Sequence, residues 1–184
     1  MSDDWTTLAD ECATDARIFL LTAREIASGS APEAVLPVGL LALSQVLVMG
    51  ARLGAVEDVV PPERFEADPG PDVEIDPLRE NLANIFEGLD EYADVADPVL
   101  DPQPVVGSLS NDVADIASAL AHGLSHYEAG RPLEALWWWQ FSYLSDWGER
   151  AAAALRVVQT LLAHLRLDAD EETVSEAEFD ALHP

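Results

Sequence analysis

The stretch EALWWWQFSYLSDWG, Glu134–Gly148, holds four of the five tryptophans of this 184-residue chain. Wound as a helix at about 100° per residue, it places an apolar stripe on one face, and the stripe continues through the residues that follow. This stripe comprises Trp137, Phe141, Leu144, Gly148, Ala151, Leu155, Val158, Leu162 and Leu165, widened by Leu136, Trp139, Tyr143, Trp147 and Ala154. Because so wide an apolar surface must be covered on more than half of its circumference, we predict the central helix of a bundle.

Two residues of this stretch depart from the pattern. Trp138 falls on the opposite side with Ser142 and Ser145, so that either a neighbouring helix covers it or it anchors a binding partner. Both alternatives stay open. Gln140 lies inside the apolar stripe, and its amide needs hydrogen-bond partners if it is buried. We expect a tyrosine hydroxyl or a histidine of a neighbouring helix to supply them.

Helical periodicity and helix-boundary residues recur along the rest of the chain. A capping box formed by Ser30 and Glu33 predicts the start of the second helix. Residues 97–107 contain three prolines and are predicted to be a connection. The predicted helices run from Trp5 to Ile26, Ser30 to Leu53, Asp76 to Tyr92, Asn111 to Ala129, and the Gly130–Pro132 turn to Leu167. No stretch alternates strongly enough to predict a strand, so we expect an all-α, single-domain bundle of about five main helices over residues 1–167.

A long acidic loop, EDVVPPERFEADPGPDVEID, is predicted between helices 2 and 3, from Glu57 to Asp76. Its charged residues Glu57, Asp58, Glu63 and Arg64 either form an internal ion-pair network or present carboxylates to a cation or a basic partner. Residues 168–184 are predicted to be an acidic, flexible tail.

The formal net charge is −26, from 35 acidic residues against nine basic ones, all of them arginine. Such a charge repels nucleic-acid phosphates and anionic lipid headgroups, so we expect neither direct nucleic-acid binding nor membrane binding. The interpretations left open are a basic protein partner, mimicry of nucleic-acid charge, adaptation to high salt, and solubility alone.

Three features favour a cytoplasmic location. The single cysteine, Cys12, cannot form an internal disulfide, which is typical of a reducing compartment. The acidic start MSDDW does not resemble a secretory signal. The most apolar run, Leu36–Met49, is interrupted by polar residues and is shorter than the roughly 20 residues that a membrane span needs, which favours a core helix.

The sequence contains no glycine-rich phosphate loop, paired-cysteine site, HExxH motif or serine elbow, so it predicts neither a catalytic site nor a cofactor. One polar constellation lies on the fourth helix, where Asp112, Asp115, His122 and His126 share a stripe. His122 and His126 are one turn apart, and two neutral imidazoles at this spacing can bind one metal ion. The alternative is a solvated polar edge whose histidines hydrogen-bond nearby acids.

Two stretches, LGAVEDVVPPERFEADPGP at Leu53–Pro71 and EALWWWQFSYLSDWG at Glu134–Gly148, resemble the uncharacterised bacterial domain-of-unknown-function family DUF5063, found mainly in actinobacteria. The resemblance extends from about Asp10 to Leu167 and implies a cytoplasmic helical domain without an assigned activity. Some members are encoded beside a recombination-repair mediator, so the resemblance also implies a link to DNA maintenance.

These observations favour a non-enzymatic interaction or regulatory protein that presents an acidic face to a basic protein. The candidate anchors are Trp138 and the loop residues Glu57, Asp58, Glu63 and Arg64. If that partner binds DNA, the chain can act as a charge mimic. The alternatives are a metal-binding protein or metal-dependent enzyme using the histidine and aspartate stripe, and an ordinary domain with a salt-adapted surface. The sequence does not determine the oligomeric state.

Overall fold

Five helical stretches and one β-hairpin make up the fold. The computed structural model describes residues 3–61 and 75–167. The elements are α1 (Asp3–Ala27), a 3₁₀ turn (Pro32–Ala34), α2 (Val35–Ala55), α3 (Ile75–Ile85), β1 (Glu91–Asp97), β2 (Asp101–Ser108), α4 (Leu109–Glu128), α5 (Pro132–Ser142), a π turn (Tyr143–Trp147) and α6 (Gly148–Leu167). Because the π turn joins α5 to α6 without a break, residues 132–167 form one helical stretch. The prediction of a mostly helical single domain with five helices is confirmed.

The core lies between α2 and its neighbours α1 and α6 on one side, and between α4 and its neighbours α1, α3 and α5 on the other. Trp139 and Trp147 are fully buried in it, as the apolar character of the aromatic stretch predicts. Cys12 is fully buried as well, and burial raises the pKa of its thiol to about 12. A thiol this inert packs as a small apolar side chain.

A β-hairpin replaces part of the predicted third helix and the predicted proline-rich connection. Helix α3 ends at Ile85, and Gly88 adopts a φ of 79°, which L side chains rarely adopt. Strands β1 and β2 then pair antiparallel, from Glu91 opposite Ser108 to Asp97 opposite Asp101. Each strand has no second neighbour among the described residues, so the prolines of β2 need not donate to another strand. The expectations of a helix through Tyr92 and of no strand are therefore wrong.

The π turn changes which side chains of the aromatic stretch face the core. Phe141 and Leu144, both expected in the buried stripe, are 54% and 65% exposed. A π turn holds one more residue than an α turn, so it shifts the helical phase by about 100°. If the buried stripe of α6 is continued towards the N-terminus as a regular α-helix, it includes Phe141 and Leu144. Because of the phase shift, the buried face of α5 instead contains Leu136 and Trp139.

The second helix begins differently from its prediction. Ser30 does not cap it, because the 3₁₀ turn comes between them and the N-cap residue of α2 is Ala34. The Ser30 hydroxyl instead donates to Glu25 Oε1 at 2.8 Å. The stretch Pro32–Ala55 is long and apolar enough to cross a membrane by length and composition, a property that core helices share. The buried residues of α2 include Leu43, Val46 and Met49.

Candidate functional site

Gln140 on α5 holds the segment that follows α2. It is 5% exposed, and its Oε1 accepts a hydrogen bond from the Val59 backbone N–H at 2.8 Å. Its Nε2 donates to the carbonyl oxygens of Leu53 at 2.9 Å and Glu57 at 3.2 Å. The expected tyrosine or histidine partner is thus wrong, since backbone groups satisfy this buried amide. The amide fixes the path of the chain from residue 53 to residue 59.

A pocket of about 290 Å³ opens between this segment and α5. We call it the aromatic pocket, and its lining residues are Asp58, Val59, Val60, Trp137, Gln140, Phe141 and Leu144. The rings of Trp137 and Phe141 are nearly parallel, with centroids 5.9 Å apart and an interplanar angle of 17°. Val60 is 55% exposed, so three large apolar side chains, Val60, Phe141 and Leu144, face solvent around one concavity.

The structure places the predicted anchor Trp138 beside the aromatic pocket rather than in it. Its indole Nε1–H donates to the Ala119 carbonyl at 2.9 Å, and its ring centroid lies 4.2 Å from that of His122. Helix α4 therefore covers part of Trp138, which is half-buried. Its neighbour Trp137 lines the pocket instead, and Trp138 contacts Phe141 with ring centroids 6.4 Å apart.

The loop candidates divide into two pairs. Glu57 and Asp58 are exposed, and Asp58 lines the aromatic pocket. Glu63 and Arg64 lie outside the described residues, as do most of the predicted loop and the predicted tail at 168–184. The structure thus brings Glu57 and Asp58 next to the aromatic helix.

Asp112 and Asp115, two of the metal candidates, bind arginines. Asp112 is 4% exposed and accepts a hydrogen bond from the Tyr92 hydroxyl at 2.5 Å. Arg150 Nη1 lies 3.4 Å from Asp112 Oδ1 and 3.3 Å from Asp115 Oδ2. Arg79 Nη2 donates to Asp115 Oδ1 at 2.8 Å. These carboxylates therefore join α3, β1, α4 and α6 in one polar network beneath the hairpin.

This network perturbs the pKa values of its members. Burial raises the pKa of Asp112, against the lowering effect of Tyr92 and Arg150. Burial and the bond to Asp112 raise the pKa of Tyr92. Burial alone would lower the pKa of Arg150, but its hydrogen bond to Asp146 and the surrounding carboxylates outweigh this and raise it. At neutral pH, Tyr92 therefore stays a hydrogen-bond donor and Arg150 a cation.

His122 and His126 form a separate pair. Their ring centroids are 5.1 Å apart, and His126 Nδ1 lies 3.2 Å from Glu134 Oε2. Ten residues of helix, about 15 Å of rise, separate Asp112 from His122. Over residues 3–61 and 75–167, no three histidine, cysteine or acidic side chains are placed to hold a metal ion. The four predicted ligands therefore do not form one site.

A second pocket, which sequence reasoning missed, lies between the hairpin and the start of α6. Its volume is about 280 Å³, and Tyr92, Asp94, Asp112, Asp146 and Arg150 contribute to its lining. Arg156 Nη2 pairs with Asp94 Oδ1 at 2.7 Å and holds the hairpin over this pocket. No spacing in the sequence signals it, because its residues come from five separate elements: β1, β2, α4, the π turn and α6.

The fold and the net charge define this chain as a small, acidic, mostly helical domain. Residues 3–164 match the family described as "Domain of unknown function (DUF5063)", and the chain belongs to that family. None of the curated proteins matches it. Its structure is similar to the crystal structure of protein BF1032 from Bacteroides fragilis, with a TM-score of 0.66 and 17% sequence identity. The similarity covers 88% of this chain and 93% of the other, and at this identity it establishes the fold alone.

Proposed function

We propose that this chain is a cytoplasmic protein-interaction module that binds a basic protein at the aromatic pocket. The observation that carries the proposal is the exposure of Val60, Phe141 and Leu144 around one concavity on a chain of net charge −26. Covering a large apolar side chain completely contributes about 1.5–3 kcal/mol, and these three are only partly covered. They can therefore supply several kcal/mol when a partner covers them.

The charge determines which partner fits. A chain this acidic attracts basic proteins at long range and repels nucleic acids, anionic membranes and a second copy of itself. Asp58 lines the pocket and the adjacent Glu57 is exposed, so a segment that combines apolar and basic side chains complements both the charge and the apolar surface. A basic protein of DNA maintenance has this chemistry, and in that case the chain competes with DNA for its partner.

Preorganisation of the pocket also supports binding. The hydrogen bonds of Gln140 hold one wall against the other, so binding requires little ordering of the backbone from residue 53 to residue 59. Rigid walls reduce the entropic cost of association. The aromatic pocket is thus better suited to binding than a cluster of similar side chains on a mobile loop.

Site-specific photo-crosslinking in the source cell tests this function. A photoreactive phenylalanine analogue replaces Leu144 in one variant and Leu165, which is 72% exposed near the end of α6, in a control variant. We expect Leu144, but not Leu165, to crosslink to a basic protein, and Phe141→Asp to abolish the product. Binding of the purified partner should weaken as salt increases. Equal crosslinking at both positions, or a product unaffected by Phe141→Asp, would contradict the proposal.

A further inference from the structure

We propose that the aromatic pocket takes an arginine side chain of its basic partner, with the guanidinium stacked on the Trp137–Phe141 ring pair and paired with Asp58. This inference rests on the proposed function and specifies the group that the site recognises. Two observations carry it independently of the apolar exposure: the geometry of the two rings and the placement of a carboxylate in the same pocket.

The two rings are stacked, with nearly parallel planes. Trp137 and Phe141 are one helical turn apart on α5, both line the pocket, and their planes differ by only 17°. Aromatic faces carry partial negative charge and attract cations, with tryptophan the strongest of the side chains. A planar guanidinium stacks on such a surface better than an ammonium does and is less strongly hydrated.

Asp58 supplies the opposite charge from the other side of the pocket. It belongs to the loop wall, whereas Trp137 and Phe141 belong to the helix wall. The adjacent residue, Val59, is hydrogen-bonded to Gln140, so the backbone that carries Asp58 has a fixed position relative to the rings. A cation between the two walls therefore meets a π surface and a carboxylate together.

The size of the pocket fits one side chain. Its volume of about 290 Å³ lies at the lower end of the roughly 300–1,000 Å³ typical of sites for drug-sized ligands. Leu144 and Val60 at its edge can cover the methylene groups of an arginine, whose apolar stem packs on such surfaces. The pocket thus matches a long side chain with an apolar stem and a planar cationic end.

A matched pair of peptides tests this inference. One is a blocked five-residue peptide with arginine between two leucines, and the other carries citrulline, the neutral isostere of arginine, at that position. Titration of isotope-labelled protein, followed by NMR at the tryptophan indole signals, gives both affinities. We expect the arginine peptide to bind about two- to five-fold more tightly, as exposed cation–π pairs predict.

Three variants assign the difference to the pocket. Asp58→Asn and Phe141→Leu should each bring the ratio of the two affinities towards one, because the first removes the charge and the second removes a π face while leaving an apolar side chain. Asp101→Asn, at an exposed position on β2, removes the same charge elsewhere and should leave the ratio unchanged. Since Asp58 is exposed, its variant should fold normally.

The outcomes separate this inference from the proposed function. Equal affinities of the arginine and citrulline peptides overturn arginine recognition. So does a ratio of the two affinities that falls as much in Asp101→Asn as in Asp58→Asn. If neither peptide binds at concentrations up to about 10 mM, the inference is also overturned, because a dissociation constant above this value is too weak for recognition. The crosslinking at Leu144 stands or fails independently, because it requires only that a basic protein covers the pocket. A lysine peptide that binds as tightly as the arginine peptide contradicts the choice of guanidinium.

Discussion

The side-chain oxygen of Gln140 accepts a hydrogen bond from the Val59 N–H at 2.8 Å, which joins two parts of the chain 81 residues apart. The nitrogen of the same amide binds two carbonyl oxygens of that segment, at Leu53 and Glu57. One buried side chain therefore fixes the two walls of the aromatic pocket relative to each other. It also explains how a polar residue is tolerated inside an otherwise apolar helix face.

Gln140→Leu should destabilise the protein by about 2–4 kcal/mol, because it leaves the Val59 N–H and two carbonyl groups without their partner. Urea unfolding measures the loss, and hydrogen exchange at Val59 should become faster. Gln45→Leu, at an exposed position on α2, is the control and should change stability by less than about 0.5 kcal/mol. Equal effects of the two substitutions would show that the Gln140 amide does not hold the segment.

Asp112→Asn should change how stability depends on pH. Burial raises the pKa of Asp112 above its ordinary 3.8, so the folded state binds a proton more readily than the unfolded chain. The resulting stabilisation is complete below the unfolded pKa and is lost as pH rises through the folded pKa. Asparagine does not titrate, so the stability of wild type relative to the variant should fall as pH rises above about 4.

Urea unfolding at several pH values measures this difference. Tyr92, Arg150 and Asp115 surround Asp112. Burial raises the pKa of Asp112 most strongly and Asp115 adds to the rise, whereas Tyr92 and Arg150 lower it, and the net effect is a raised pKa. Asp101→Asn, at an exposed position on strand β2, removes a carboxylate outside the network and serves as the control. A wild-type advantage over Asp112→Asn that grows with pH would contradict the raised pKa.

Trp138→Phe should lower stability by about 1 kcal/mol, because it removes the indole hydrogen bond to the Ala119 carbonyl and keeps an aromatic ring over His122. Thermal unfolding measures the loss, and the yield of crosslink from Leu144 reports on binding. We expect unfolding to change and the crosslink to persist. An unchanged melting temperature with loss of the crosslink would instead assign Trp138 to the partner.

Helical periodicity predicts most of the fold because the helices bury continuous apolar faces. It fails at the π turn of residues 143–147, since an inserted residue changes the phase without changing the composition. Phe141 and Leu144 therefore look buried in sequence and lie at the surface. It fails again at the hairpin, where Tyr92 extends an apparent helical stripe but pairs opposite Gly107 in a sheet.

The candidate site was predictable only in part. The aromatic helix and the acidic loop are both visible in the sequence, and the structure brings Asp58 and Phe141 into one pocket. The link between them was not predictable, because Gln140 binds backbone groups that carry no sequence signal. Contacts between elements far apart in the chain also explain the failed metal site. Local spacing groups Asp112 with His122, whereas the structure pairs Asp112 with Arg150 of α6.

Two glycines of α2 should respond in opposite directions to alanine. At Gly39 the nearest atom to an added Cβ is Ile26 Cδ1 at 3.9 Å, an ordinary contact. Gly39→Ala should therefore stabilise the protein by about 0.5–1 kcal/mol through helix propensity. At Gly50 an added Cβ would overlap the Tyr143 ring, so Gly50→Ala should destabilise the protein by about 1–3 kcal/mol. Chemical unfolding of both variants checks the pair, and effects of the same sign would contradict the packing of α2 on the π turn.

Deletion of Ser145 should unfold the protein or leave it without fixed tertiary structure. Removing one residue turns the π turn into an α turn and rotates α6 by about 100° relative to α5. Trp147, Ala151 and Ala154, all fully buried, would then leave the core that Trp139 occupies. Near-ultraviolet circular dichroism of the tryptophans measures the loss. Ser145→Ala keeps the chain length and should change stability by less than about 0.5 kcal/mol, because Ser145 is exposed. A deletion variant that unfolds cooperatively at the wild-type midpoint would show that the extra residue is not needed to align the two buried faces.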